Sequence, residues 1–337
     1  MSKAFPTASA PHLPHARPVS WVMSQVLLAL LPGAAATLFY RGPGVLLNLA
    51  LCLATAYGCE ILAMRLRGHP PKPALQDGSV AVTATLIALA LPPWLPLPLP
   101  ILGTAFAVLL VKHAYGGLGQ NPFNPAMAAY ALLLVSFPVA MTRWPAAASA
   151  WDWHLAALAW TGAEHAWDGL TGATALGDTR TRLALTHTLF EIHAEGGPAG
   201  SRAGLVVNLA YAAGGGYLLA RGVIGWRIPV AVLVAVATGA LVFQVIDADR
   251  YPSALFHLTQ GATMLGAFFI ATDPVSASTT PRGRLLYGAG IGALVYLIRT
   301  FGAYPDGFAF AVLLMNLAVP LIDRLTIPRP YGTPRDD

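Results

Sequence analysis

Long apolar runs decide what this chain can fold into. They cover residues 21–40, 44–66 and 79–94, a fourth run ending at Lys112, a fifth reaching about residue 141, then 204–220, 228–246, 255–271, 285–301 and 308–325. A backbone that crosses hydrocarbon must satisfy its own amides, so such segments are expected to be helices. Composition agrees: 56% of the 337 residues are hydrophobic, 10% are charged, and mean hydropathy is +0.60. A soluble domain of this size does not carry so few charges. The run Pro92-Pro93-Trp94-Leu95-Pro96-Leu97-Pro98-Leu99-Pro100 must interrupt any helix, because proline lacks an amide donor and fixes φ. No small-residue cleavage site follows the first run, which is therefore expected to be a retained helix.

Residues 143–202 break the pattern. They carry Trp151, Trp153, Trp160 and Trp167 among Asp, Glu, His and Thr, with no apolar run of about 17 residues. Five apolar runs precede this insertion and five follow it. Five is odd, so two halves of like fold would face opposite ways in a bilayer. An internal echo accords with this: Lys112-His113-Ala114-Tyr115-Gly116-Gly117 leads to Asn121-Pro122 much as Arg299-Thr300-Phe301-Gly302 leads to Tyr304-Pro305-Asp306-Gly307. The expected fold is an all-α polytopic membrane protein with about ten transmembrane helices in two five-helix inverted repeats and one extracytoplasmic insertion. Its parts are a tail and first membrane half (1–142), the insertion (143–202), and a second half with its tail (203–337).

The net charge of +5 does not point to nucleic acid, because the basic residues stand singly or in pairs at the ends of apolar runs. Counted as orientation signals, thirteen of the twenty Lys and Arg fall on one side, among them Arg65, Arg67, Lys112, Arg282 and Arg284. That side is expected to be cytoplasmic, with both termini, leaving the insertion outside. Cys52 and Cys59 lie seven apart in one run, about two turns along a helix, and cannot bridge there. Two thiols are too few for a four-thiolate cluster within the chain. They read as small buried hydrophobes or as ligands of a cluster shared with a partner. The histidines show no metal-ligand spacing. No Gly-x-Gly-x-x-Gly before a helix and no phosphate-binding Lys-Ser/Thr loop is present, so nucleotide chemistry is expected on a partner.

Within the insertion lies Asp168-Gly169-Leu170-Thr171-Gly172-Ala173-Thr174. The slim Gly-Ala backbone between two threonines lets a bulky phosphate approach Thr174, which suits an acceptor for a covalent group; a plain loop is the alternative. Three further polar places stand out. Asn121-Pro122-Phe123-Asn124-Pro125 precedes a helix whose free amides suit an anionic or carbonyl group, or is simply a proline-capped turn. Asp273 is expected to pair with Arg282 or Arg284, or to contribute to an ion or flavin site. Glu60 lies deep in an apolar run, where a carboxylate serves ion transfer or is neutralised by Arg65 or Arg67.

Several stretches together resemble one family, the D subunit of the Rnf ion-translocating oxidoreductase complex, related to the B subunit of the sodium-pumping NADH:quinone oxidoreductase. They are Gly119 to Met127, Asp168 to Thr174, Trp226-Arg227-Ile228-Pro229-Val230, Ala271-Thr272-Asp273-Pro274-Val275 with Thr280-Pro281-Arg282-Gly283, and Tyr304 to Asn316. The resemblance implies Thr174 as the residue that carries flavin mononucleotide (FMN) in a phosphoester. Asp168, Thr171, Gly172 and Ala173 would form the segment read by a separate flavin transferase. It also implies a second, non-covalent flavin such as riboflavin in the membrane part. The implied setting is the bacterial inner membrane, in contact with lipid. The implied partners are the other members of the Rnf complex: a second flavin-bearing protein outside, iron–sulfur proteins in the membrane and an NAD-binding protein inside. The complex would couple ferredoxin and NAD to cation transport. One departure stands out: where the family has Gly-Ser-x-Gly-Glu at the start of the sixth run, this chain reads Gly200-Ser201-Arg202-Ala203-Gly204-Leu205. Two other classes stay open on sequence: an inverted-repeat channel or solute transporter without a redox centre, and an assembly scaffold.

Overall fold

The computed structural model describes residues 17–145, 151–160, 171–194, 201–302, 304 and 306–328. In chain order the helices are α1 (Val19–Arg41), α2 (Gly44–Leu66), α3 (Pro71–Gln76), α4 (Ser79–Ala90), α5 (Pro98–Ala105), α6 (Pro125–Ser136), α7 (Pro138–Thr142), α8 (Trp153–Trp160), α9 (Ala175–Ala184) and α10 (Leu189–Ala194). There follow α11 (Ser201–Ala220), α12 (Arg227–Ile246), α13 (Ala254–Thr259), α14 (Thr263–Leu265), α15 (Pro281–Phe301) and α16 (Phe308–Thr326). Helix α5 continues as a π-helical stretch, Phe106–His113, and α14 as another, Gly266–Ile270. The described extended structure is one antiparallel pair, β1 (Trp144–Pro145) with β2 (Thr171–Gly172).

Five helices, α1, α2, α11, α12 and α16, are long and apolar enough to cross a membrane. Large apolar side chains such as Leu31, Phe39, Val245, Leu317 and Leu321 stand exposed on them, as a lipid-facing surface requires. Other apolar runs are built from pieces. The third stops at Ala90 ahead of the proline run, and the fifth breaks at Phe137, because Pro138 disfavours helical backbone before it. The eighth breaks at Gln260-Gly261, where Gly261 has φ +67°.

Packing joins α1 to α11, α2 to α4, and both α12 and α16 to α15. The α12–α15 contact is backbone-close: a Cβ added at Gly292 would lie 2.4 Å from the Val232 carbonyl oxygen. Small residues one turn apart on α15, Gly288 and Gly292, let the helices approach, and Val232, Val236, Ile291 and Val295 close the core around them.

Candidate functional site

Thr174 is the N-cap of α9. Its backbone is extended (φ −67°, ψ 154°) and its hydroxyl accepts a hydrogen bond from the Gly177 amide at 3.1 Å. Ala173 before it is exposed. The preceding residues are held by the strand pair, with Gly172 opposite Trp144 and Thr171 opposite Pro145. Asp168 lies outside the described residues. Helix α9 is seated from below: a Cβ at Gly261 would meet the Leu176 Cδ1 at 2.7 Å, together with Asp306 Oδ2 and Arg299 Nη2. The rest of the insertion grips the same end of the bundle. Trp151 donates to the Phe39 carbonyl (2.9 Å), the Trp160 indole to the Pro93 carbonyl (3.4 Å), and the Leu189 amide to the Asp249 carbonyl (2.9 Å).

Beneath α9 sits a cluster built on Arg299 and Asp306, which the sequence marked only as part of an internal echo. Arg299 is buried, bonded to Asp306 through Nε and Nη2 (3.3 and 3.2 Å), and donates from Nη1 to the His257 carbonyl and the Thr263 hydroxyl. Asp306 also accepts from the Ala262 and Phe308 amides. Asn208, on α11, ties down the break in the eighth run. Its amide donates to the Thr259 and Gly261 carbonyls and its oxygen accepts from the Met264 amide.

The expected neutralisation of Glu60 by Arg65 or Arg67 is corrected. Glu60 is 1% exposed, and both its oxygens accept from Lys112 Nζ at 3.0 Å, while His113 Nε2 lies 3.0 Å from Oε2. Lys112 also donates to Ser79 Oγ at 3.0 Å. Arg65 and Arg67 do not reach it. They are five and seven residues further along α2, beyond the one-turn spacing at which side chains meet, and both are exposed. Arg67 instead donates to the Gly116 and His113 carbonyls (2.8 and 2.9 Å). The π-helical winding, with fewer than 100° between successive residues, brings neighbouring Lys112 and His113 to the same carboxylate.

Asn121, Asn124 and Asp273 are brought together on one cavity of about 160 Å³. Lys112, Ser79, Thr83 and Thr272 add polar groups to its wall, and Met23, Leu86, Phe268 and Phe269 are among its apolar residues. Asn124 caps α6 by accepting from the Met127 amide (3.1 Å), and the Asn121 amide folds onto the Phe123 carbonyl (2.9 Å). The expected pairing of Asp273 with Arg282 or Arg284 does not occur. Asp273 accepts from Ser276 Oγ (2.7 Å) and the Val275 amide (3.4 Å), closing its own turn, while Arg282 is exposed and Arg284 donates to the Ser278 carbonyl. Glu60 stands one residue behind the wall, reached through Lys112. Cys52 and Cys59 are free, and among the described residues no three His, Cys, Asp or Glu gather as a metal site.

Residues 6–332 match the NQR2, RnfD, RnfE family. The chain belongs to that family. It is 51% identical to the D subunit of the ion-translocating oxidoreductase complex of Aeromonas hydrophila, with 98% of this chain and 99% of the relative covered. The corresponding D subunits of Pseudomonas aeruginosa (strain LESB58) and Cronobacter sakazakii are 47% and 46% identical, each over at least 96% of both chains. The resemblance carried by the Gly119, Asp168, Trp226, Ala271 and Tyr304 stretches thus extends along nearly the whole length. The family's Asn-Pro-Phe-Asn-Pro and Thr-Asp-Pro stretches are those that meet at the cavity, from α6 and from the end of the π-helical Gly266–Ile270 segment.

Proposed function

We propose that this chain is a membrane electron-transfer subunit of an ion-translocating oxidoreductase complex, carrying FMN on Thr174 through a phosphoester. Full-length similarity to proteins named as the D subunit of such complexes supports the complex. The observation that carries the flavin reading is the place of Thr174. It is a helix N-cap whose hydroxyl is bonded to the Gly177 amide in the first turn of α9, next to an exposed alanine, on an insertion gripped at one end of the bundle. A helix N-terminus favours a phosphate, and the grip limits how far a tethered group can wander. The flavin would supply reversible electron uptake; the protein supplies its position. Thr174 holds the phosphate oxygen, the α9 amides face its charge, and Leu176 anchors α9 on the membrane part. Maturation would need the flavin transferase.

A second, non-covalent flavin such as riboflavin belongs to the same reading, and the cavity of about 160 Å³, below the roughly 300–1,000 Å³ of ligand pockets, would have to widen to admit its ring. Phe268, Phe269, Met23 and Leu86 offer it apolar contacts, while the Asn121 and Asn124 amides are already bonded to Phe123, Ile270 and Met127. Assembly with the other Rnf proteins, coupling of ferredoxin and NAD, inner-membrane residence and an insertion on the periplasmic side belong to the same reading.

In-gel flavin fluorescence of the denatured chain, co-expressed with the transferase, tests the core of it. Wild type is expected to fluoresce, Thr174→Ala to be dark, and Thr174→Ser, which keeps both hydroxyl and cap, to retain signal. A dark wild type beside a fluorescent control protein would move the channel or transporter reading ahead.

A further inference from the structure

Among the described residues near Thr174, one cation has no carboxylate partner. Arg299 and Asp306 neutralise one another in the cluster under α9, and on α9 itself Asp178 pairs with Arg182 at 3.1 Å. Arg41, the last residue of α1, is left over. Its guanidinium lies 4.2 Å from the centre of the Trp144 ring, half-buried. Asp306 is already engaged by Arg299 and two backbone amides. None of the five donors of Arg41 meets a hydrogen-bond acceptor among the described residues. The platform under it is tied to the motif, because Trp144 pairs across the strand ladder with Gly172, two residues before Thr174. A guanidinium over an indole ring is held in place while its N–H groups stay available, an arrangement that suits a phosphate oxygen pair.

We propose that Arg41, laid on Trp144, is the cation that binds the phosphodiester of the flavin tether on Thr174. This rests on the flavin reading above. The tether carries one negative charge, opposite to the charge that Arg41 leaves without a carboxylate partner among the described residues. Phosphate and not ring is the target, because the pairing of Trp144 with Gly172 sets Arg41 beside the segment that carries the attachment point, whereas the ring lies a ribityl chain away. Arg41 acts as a positioning residue that fixes the tether and so narrows the volume the flavin samples. Arg180 on α9 has no such platform.

The test uses the full-length chain, flavinylated by co-expression and purified in detergent, as wild type, Arg41→Gln, Arg41→Lys, Trp144→Leu and Arg180→Gln. In-gel fluorescence first establishes equal flavin content, and size-exclusion elution establishes folding. The ³¹P resonance of the phosphodiester and the fluorescence anisotropy of the flavin are then read. Arg41→Gln is expected to shift the resonance and lower the anisotropy, Arg41→Lys to restore part of both, Trp144→Leu to move both as Arg41→Gln does, and Arg180→Gln to leave them at wild type. A resonance and anisotropy unchanged in Arg41→Gln would overturn the assignment and leave the flavin reading standing. So would a change in the flavin midpoint potential with the resonance unmoved, which would give Arg41 to the ring. A shift with Arg180→Gln alone would give the tether to α9. Wild type without flavin would remove the flavin reading, and this assignment with it.

Discussion

Lys112 and Glu60 form a fully desolvated pair, and that makes each of them more exposed to loss than to replacement. Lys112→Met leaves the buried Glu60 carboxylate with His113 alone and is expected to destabilise the chain by about 3–5 kcal/mol. The double change Glu60→Gln with Lys112→Met removes both charges and is expected to recover most of that. Thermal unfolding in detergent checks both, and a double variant no better than Lys112→Met would show that the pair is not the reason for the cost. Glu191 is the opposite case, fully at the surface. It accepts from the Thr188 amide (2.7 Å) while the Thr188 hydroxyl accepts from the Glu191 amide (3.2 Å), a reciprocal cap on α10. The Thr188 amide, and then the Thr188 hydroxyl, hold its carboxyl below the usual carboxylate range. A depressed acid stabilises above its unfolded pKa and loses that contribution as pH falls through the folded value. Hydrogen-exchange protection of Leu189–Ala194 is therefore expected to fall on acidification into the carboxylate range, and to lose that pH dependence in Glu191→Ala.

At the scale of elements, two glycines decide how helices meet. Gly292 lets α15 touch the backbone of α12, so Gly292→Leu forces the pair apart and is expected to cost about 1–3 kcal/mol by overpacking. Gly261 has a left-handed backbone, and a Cβ there would press on Leu176, Arg299 and Asp306 at once. Gly261→Ala is thus expected to lower the melting temperature and also to loosen α9, read as faster hydrogen exchange across residues 175–184. Exchange unchanged in that variant would separate α9 from the Arg299 cluster. Each broken region holds a buried cation bonded to a hydroxyl: Lys112, ending the fourth run, donates to Ser79 at the start of the third, and Arg299, near the end of the ninth, donates to Thr263 within the eighth.

Across the whole molecule, the insertion touches the ends of helices that the count of positive charges sets on one side: Phe39, Pro93, Asp249 and Gly261. His69, beyond α2, is exposed, as is Phe190 in the insertion. In a chain with Cys52→Ala and Cys59→Ala, a membrane-impermeant maleimide applied to intact cells is expected to label F190C and to spare H69C until the cells are opened. Labelling of both, or of H69C alone, would overturn the proposed orientation.

Much of this protein could be read from the chain itself. Apolar runs and scarce charge determined a helical membrane protein, the prolines determined where helix must stop, and the motifs determined the family. All of these are written locally, in composition and in spacing of a few residues. Thr174 stood out in the same way, from the slim residues before it, although its place as the N-cap of α9 did not. Partners were not legible. Glu60 chose Lys112, 52 residues away, over two arginines close to it in the chain, and Asp273 chose its own turn over Arg282. The cavity joining Asn121 to Asp273, and the pairing of Trp144 with Gly172 that brings Arg41 to the Thr174 segment, exist only once α1, α6 and the insertion are packed. In a low-dielectric interior a buried charge takes whichever opposite group the packing brings within about 3 Å, and distance through space is not encoded in distance along the chain.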